Sequence, residues 1–191
     1  MRRAGLPPGH PGIGSTLTAL GNLYTDMGRQ REAAAYFEES LALLRAAHGN
    51  DHRLVAQALG GRGRLAKRRE DYARAEADFR EVVRILSASF GPDHQFTMLY
   101  DVRHADALRL LGREAAAAAA FADAMPTARA SIPEGAPNRA IVERLYGEYL
   151  ASRGRCADAR EALDAAGAIF HTLGDESQLA DIERARQACM G

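Results

Sequence analysis

Tryptophan is absent from this sequence, and aromatic residues make up only 6% of its 191 residues. Such a chain has few large rings from which to build a core, so it must bury its surface through many small contacts. Alanine is the most common residue, and it is both the best helix former and small enough to let helices pack closely. The composition therefore predicts an all-α protein of closely packed helices.

An excess of charge of either sign is also missing, because 25 basic residues balance 25 acidic ones. A globally basic nucleic-acid binder and a strongly acidic disordered chain are therefore disfavoured. Every basic residue except Lys67 is an arginine. We attribute this bias to GC-rich codons, and it favours a bacterial source.

Cysteine is nearly absent, since only Cys156 and Cys189 occur. Two cysteines cannot form a disulfide framework, so we expect reduced thiols. No signal peptide is visible between Met1 and Gly14, and no segment approaches the roughly 18 apolar residues of a membrane span. These absences predict a soluble, cytoplasmic protein.

What the sequence does contain is an internal repeat, marked by similar turns around the equally spaced His10, His52 and His94. Three columns keep this period through four repeats: small residues at Gly21, Gly63, Ala105 and Gly147; alanine at Ala33, Ala75, Ala117 and Ala159; and large apolar residues at Phe37, Phe79, Phe121 and Leu163. We therefore predict repeats over 6–47, 48–89, 90–131 and 132–173 in a single array over 6–189, ending in a capping helix over 175–189.

Each repeat is predicted to fold as two helices. In the first repeat, apolar residues recur at helical spacing, and Gly28 ends the helix with a left-handed cap. Glycine returns at this position in the third and fourth repeats, whereas Glu70 interrupts the column in the second. We expect Asp51 and Asp93 to cap the helices that follow them, and Pro126 to kink or end the second helix of the third repeat.

A helical hairpin with Gly21, Tyr24, Gly28, Ala33 and Phe37 resembles the tetratricopeptide repeat. The period of about 42 residues and the Gly-Pro-Asp-His turn at positions 91–94 are similar to the long variant of this repeat in kinesin light chains and in many bacterial proteins. The resemblance implies a right-handed α-solenoid of antiparallel helical hairpins. It also implies a non-catalytic scaffold without a cofactor, whose concave groove, lined by the first helix of each pair, binds a peptide or a partner domain.

The candidate groove residues follow from this resemblance and from the repeat register. They are Asn22, Arg64, Lys67, Arg68, Arg103, Asp106 and Arg109. The basic members would suit an acidic peptide, because the guanidinium group binds carboxylates through two hydrogen bonds. The alternative is that they are solvated charges on a helix surface, some of them paired with nearby carboxylates. A weak nucleic-acid binder is a further alternative, although the rest of the chain is neutral and lacks aromatic platforms.

No nucleophile with a neighbouring base is evident, so we do not expect catalysis. A metal site at His10, His52 and His94 is disfavoured, because equivalent positions on stacked hairpins lie on the order of 10 Å apart. No metal is therefore expected, and we assign these histidines a role in stabilising the turns.

The sequence begins in the middle of a repeat, as if cut from a longer chain. Bacterial repeats of the type that this chain resembles are often appended to serine/threonine kinases or signalling NTPases. The resemblance therefore implies, as an alternative to a self-contained scaffold, a C-terminal regulatory or sensor segment of such a larger protein. An uncapped first hairpin would expose an apolar stripe of Ile13, Leu17, Leu20 and Tyr24. Because exposed apolar patches are often interaction sites, this stripe predicts a homodimer.

Overall fold

A computed structural model describes residues 10–190, so the predicted turn over residues 6–9 lies outside the described residues. Residues 10–190 form nine α-helices and no strand, which confirms the all-α prediction. The helices are α1 (Pro11–Asp26), α2 (Gln30–His48), α3 (Arg53–Arg68), α4 (Tyr72–Phe90), α5 (Gln95–Leu110), α6 (Glu114–Ser131), α7 (Pro137–Ser152), α8 (Cys156–Leu173) and α9 (Glu176–Gln187). Between His10 and Met190, none of these helices combines the length and the apolar character that crossing a bilayer requires.

The chain divides into two compact units, residues 1–92 and residues 93–191. Unit 1 contains the hairpins α1/α2 and α3/α4, whereas unit 2 contains α5/α6 and α7/α8 with α9 packed against α8 and α7. The boundary falls in the turn at the start of the third predicted repeat, over 90–131. The single array over residues 6–189 stays a prediction, and each unit is described by itself.

Glycines in the first helices of the hairpins leave room for the apolar column of the second helices. The buried Phe37 ring lies between Gly21 of α1 and Gly61 of α3, where added Cβ atoms would lie 2.7 Å and 2.5 Å from its Cε1. A Cβ at Gly63 would lie 2.6 Å from Cε1 of Phe79 in the same way. The small column and the aromatic column of the repeat are therefore complementary, because a ring fills the space that each glycine leaves empty.

Histidines cap the helices that open the first three repeats. The Nδ1 atoms of His10, His52 and His94 accept hydrogen bonds from the backbone N–H two residues later, at 3.0, 3.2 and 3.3 Å. This confirms the turn-stabilising role of these histidines. The expectation that Asp51 and Asp93 provide the caps is wrong, because the following histidine has the extended N-cap backbone. Asp51 instead forms an ion pair with an arginine of α4.

The loop between the helices of each hairpin contains a left-handed residue. Gly28 has φ of 74°, and the glycines at the same position of the third and fourth repeats both have φ of 71°. Glu70 occupies this position in the second repeat with φ of 60°, and it is the single non-glycine residue with positive φ between residues 10 and 190. Glu70 therefore adopts a backbone conformation that glycine adopts at much lower cost.

Pro126 lies inside α6, which continues to Ser131. An end of the helix at this proline, one of the two expected outcomes, is therefore wrong. Met125 and Ala128 on either side of it are buried in the core of unit 2, together with Ile132 just after the helix. This packing stabilises the last turns and offsets the hydrogen bond that the proline cannot donate.

Candidate partner-binding surface

The first helices of the two hairpins in unit 1 bring three of the predicted groove residues together. Nη2 of Arg64 on α3 donates a hydrogen bond of 2.9 Å to Oδ1 of Asn22 on α1. Arg68, one turn further along α3, donates to the backbone oxygen of Thr25 at 3.1 Å and lies 3.6 Å from the carboxylate of Asp26. Asn22 and Arg64 are one repeat period apart in the sequence, as are Asp26 and Arg68. The repeat register therefore places equivalent residues side by side on α1 and α3.

The cations of α3 share one face of the helix, because Arg64, Lys67 and Arg68 are spaced three and four residues apart. The partner of Arg64 is a neutral amide, so this contact does not neutralise the guanidinium charge. Arg68 and Asp26 are about half-exposed, at 48% and 56%, and an ion pair in such a setting contributes little stability. A carboxylate from a ligand could therefore bind Arg64 and Arg68 without first breaking a strong internal pair.

The predicted residues of unit 2 lie in a different electrostatic environment. Asp106 on α5 is 1% exposed and accepts two hydrogen bonds from Arg109, at 3.0 and 2.6 Å. Arg109 also lies 3.7 Å from Glu148 on α7. The charge of Arg109 is therefore balanced from two sides, and it is less available to a ligand than the charges of Arg64 and Arg68.

Arg103 also lies on α5, where its guanidinium carbon is 5.8 Å from the centroid of the Tyr100 ring. A cation over an aromatic face is attracted by the ring quadrupole. Arg103 is half-buried, so its side chain combines this contact with partial access to solvent. It remains a candidate of unit 2.

Four further polar residues, none of them among the predicted groove residues, extend the charge network of unit 2. They are Arg144 and Glu148 on α7, and Gln178 and Asp181 on α9. Arg144 pairs with Glu148 one turn later, donates to Gln178 at 2.9 Å and lies 3.7 Å from Asp181. The repeat could have identified Glu148, which has the position of Asp106 in the following repeat. No sequence signal could have identified Gln178 or Asp181, because only the docking of α9 brings them to Arg144.

The exposed apolar surface of α1 differs from the predicted stripe. Leu17 is only 2% exposed, and Tyr24 packs edge-on against Tyr36 with Arg29 over its ring. The expectation that Leu17 is exposed is therefore wrong. Leu23 of α1 and Met27, the residue after this helix, are instead 53% and 58% exposed.

The expectation of reduced thiols is also wrong. Cys156, the first residue of α8, and Cys189, which follows α9, form a disulfide bond with their Cα atoms 5.5 Å apart. Although 33 residues separate them, the left-handed turn at Gly174 folds α9 back along α8 and brings the two ends together. This proximity depends on the packing of α9, and the spacing in the sequence gives no sign of it.

Comparisons with known proteins agree with the repeat register. Residues 12–88 match the family model described as Tetratricopeptide repeat. A crystal structure of a Podosopora anserina putative kinesin light chain with nearly identical TPR-like repeats is similar over 94% of this chain and 88% of that chain, with a TM-score of 0.68 and 19% identity. A singly substituted form of the same protein is similar over 94% and 87%, with a TM-score of 0.68 and 17% identity. No curated protein is significantly similar in sequence. Residues 12–88 thus match the tetratricopeptide repeat, and the chain has an all-α repeat fold similar to that of the kinesin-light-chain repeats.

Proposed function

We propose that this chain is a non-catalytic scaffold that binds an acidic peptide, or an acidic segment of a partner domain, on the face formed by α1 and α3. Tetratricopeptide repeats are generally protein–protein interaction modules, and their fold is typically non-catalytic. The observation that carries the proposal is the cationic face of Arg64, Lys67 and Arg68. Arg64 is bound to a neutral amide, whereas Arg109 on α5 is bound to a buried carboxylate.

The spacing of the cations suits an extended ligand. Arg64 and Arg68 are one helical turn apart, about 6 Å along the axis. Alternate side chains of an extended peptide are also about 6–7 Å apart, so two acidic residues separated by one position could reach both arginines. Asn22 adds an amide group, which can hydrogen-bond to the backbone of a peptide.

Fluorescence anisotropy with a labelled peptide of alternating glutamate and serine tests the proposal, and the same peptide with glutamine in place of glutamate is the neutral comparison. We expect the triple variant Arg64→Glu, Lys67→Glu, Arg68→Glu to weaken binding by more than about tenfold, as expected when attractive charges at an interface become repulsive. The control is Arg31→Glu, Arg45→Glu, Arg69→Glu, which changes the net charge equally at exposed positions of the same unit. Equal losses in the two triple variants, or equal affinity for the two peptides, would refute the acidic-peptide site.

The same variants separate this proposal from weak nucleic-acid binding. If the chain binds a labelled single-stranded oligonucleotide through its phosphates, the logarithm of the binding constant should fall steeply and linearly with the logarithm of the salt concentration. Tighter binding of the oligonucleotide than of the acidic peptide at physiological salt would favour the nucleic-acid function. The acidic-peptide proposal predicts the opposite order.

We expect the candidate residues of unit 2 to contribute less to peptide binding than those of unit 1. Arg109 donates two hydrogen bonds to Asp106, so we expect substitutions of either residue to change the free energy of unfolding more than the ligand affinity. Arg103 is the other cationic candidate on α5, where its guanidinium lies against the face of a tyrosine ring. Arg103→Gln in the same anisotropy assay measures its contribution.

We also propose a homodimer through α1. The support is the exposure of Leu23 in the last turn of α1 and of Met27, its C-cap residue four positions later. We expect Leu23→Glu with Met27→Glu to convert the dimer to a monomer in light scattering after size exclusion. A parent chain that is already monomeric at high concentration would contradict the dimer.

We propose a bacterial source, on the arginine-rich composition of the sequence, and the cytoplasm as the location. The disulfide does not decide this location, because cytoplasmic disulfides, when present, are usually transient or redox-sensing. A role as the regulatory segment of a larger kinase or NTPase is the alternative context. Reading the DNA upstream for an adjacent kinase or NTPase frame tests it.

A further inference from the structure

A cavity of about 420 Å³ adjoins the disulfide at the α8–α9 end of unit 2. Both cysteines line it, together with Arg160 and Arg186 and the exposed Met190. Both cysteines are half-buried and line the cavity, so a small molecule in the cavity would lie next to the disulfide. We propose that Cys156–Cys189 is a reversible thiol-exchange site for a small thiol that carries a carboxylate, and that reduction releases α9 from α8.

The charges around the cavity select an anionic thiol. Arg186 forms an ion pair with Asp164 and lies 3.8 Å from Glu183, so its charge is already balanced. Arg160 is exposed, and within residues 10–190 its side chain has no hydrogen-bond or ion-pair partner. It lies four residues after Cys156, which places both side chains on the same face of α8. Arg160 is therefore the cation that binds the carboxylate of the thiol.

The exchange is a pair of displacement steps. The thiolate of the small molecule attacks Sγ of Cys189, the disulfide breaks, and the electron pair leaves on Sγ of Cys156. This sulfur lies in the first turn of α8, where free backbone N–H groups and the helix dipole stabilise a thiolate. The thiolate of a second small molecule then attacks the small molecule's own sulfur in this mixed disulfide, the bond to Cys189 breaks, and the electron pair leaves on Sγ of Cys189. Two small thiols are thereby oxidised to one small disulfide, their two protons end on the two cysteines, and the reverse steps oxidise the chain with the small disulfide.

Reduction affects α9 because the disulfide tethers its C-terminal end. The helix has only 12 residues, a length at which an isolated helix is marginal in water. Ile182 and Ala185 are its buried residues, and they pack with Leu163, Ala166 and Phe170 of α8. Without the tether, these few apolar contacts and the exposed ion pair of Arg186 with Asp164 must hold the second half of α9, while the hydrogen bond from Arg144 to Gln178 still holds its first half. Release of α9 would uncover the apolar surface of α8.

Hydrogen exchange of the full chain, with the redox state set by reduced and oxidised glutathione, tests the release. We expect exchange in residues 182–187 to become at least about tenfold faster on reduction, with α1 to α6 unchanged, as for a local opening. The double variant Cys156→Ser, Cys189→Ser should exchange like the reduced chain in both buffers. Equal protection of α9 in the oxidised and reduced chain, or a native disulfide that glutathione does not reduce, would overturn the proposal.

The rate of disulfide reduction tests the role of Arg160. We expect Arg160→Gln to slow reduction by glutathione about threefold, the effect of one exposed ion pair, and to leave reduction by the neutral 2-mercaptoethanol unchanged. Arg184→Gln removes the same charge from the exposed face of α9 and should alter neither rate. Equal rates for Arg160→Gln and the parent chain with glutathione would show that no carboxylate is recognised and would overturn the proposed ligand class.

Discussion

The distance between α7 and α8 depends on the absence of a side chain at Gly147. An alanine Cβ at this position would lie 2.6 Å from Cγ of Leu163 and 3.3 Å from the backbone oxygen of Ala159. Cγ lies at the branch of the leucine side chain, and Leu163 is 1% exposed, so rotation of a chain end cannot relieve the overlap. Gly147→Ala must therefore push the two helices apart or force Leu163 out of its rotamer.

Two opposing effects set the change in the free energy of unfolding that Gly147→Ala causes. Overpacking of a close-packed core costs about 1–3 kcal/mol. The better helix propensity of alanine stabilises the folded chain by about 1 kcal/mol. The overpacking cost is larger, so we expect Gly147→Ala to lower the free energy of unfolding by about 1 kcal/mol. Gly167 in α8 is the matched control in the same unit, since a Cβ there would meet Ile182 Cδ1 only at 3.8 Å. Gly167→Ala should keep the propensity gain and raise the free energy of unfolding by about 1 kcal/mol.

Urea unfolding of the oxidised chain, followed by circular dichroism, measures both variants. The two should differ by about 2 kcal/mol, and their melting temperatures by about 5 °C. The double variant Gly147→Ala, Leu163→Ala provides a second check, because truncation of Leu163 removes the atom that the new methyl group meets. Gly147→Ala should be harmless in that background. If Gly147→Ala stabilised the parent chain as much as Gly167→Ala does, the helix separation would not depend on this contact, and the reasoning would be refuted.

Four other substitutions test local features of the fold. Glu70→Gly should raise the free energy of unfolding by about 1 kcal/mol, because it relieves the left-handed backbone at this residue; Gly28→Glu at the equivalent site should have the opposite effect in the same urea titration. Burial lowers the pKa of His52, and the charges of His48 and Arg53 lower it further. The neutral imidazole therefore contributes stability above the ordinary histidine pKa, and this contribution is lost as the pH decreases below about 6.5. His52→Asp keeps an N-cap acceptor, and its melting temperature should fall less between about pH 7.5 and 5.5; an equal fall in both chains would contradict this. Asp106→Ala should cost about 3 kcal/mol, since it leaves the partly buried Arg109 without its closest partner, and a loss of peptide affinity without a loss of stability would show that Asp106 contacts the ligand instead.

The sequence alone determined the repeat architecture of this protein. The repeat period, the small and aromatic columns and the left-handed glycines all result from local rules, since helix ends depend on backbone conformation and helix crossings require small residues at fixed positions. In the same register Asn22 is equivalent to Arg64 and Asp26 to Arg68, and each pair is in contact in the structure, because equivalent residues of adjacent repeats are neighbours in space.

Only the tertiary structure decided which of the predicted groove charges are paired with carboxylates, and where α9 packs. Arg64 and Arg109 are both arginines on first helices, but Arg109 lies beside Asp106 and Glu148, and ion pairing depends on distances of a few ångströms that a repeat pattern does not specify. The docking of α9 on α8 likewise results from the burial of a few apolar side chains between these two helices. That docking brings together Cys156 and Cys189, whose separation in the sequence says nothing about their separation in space.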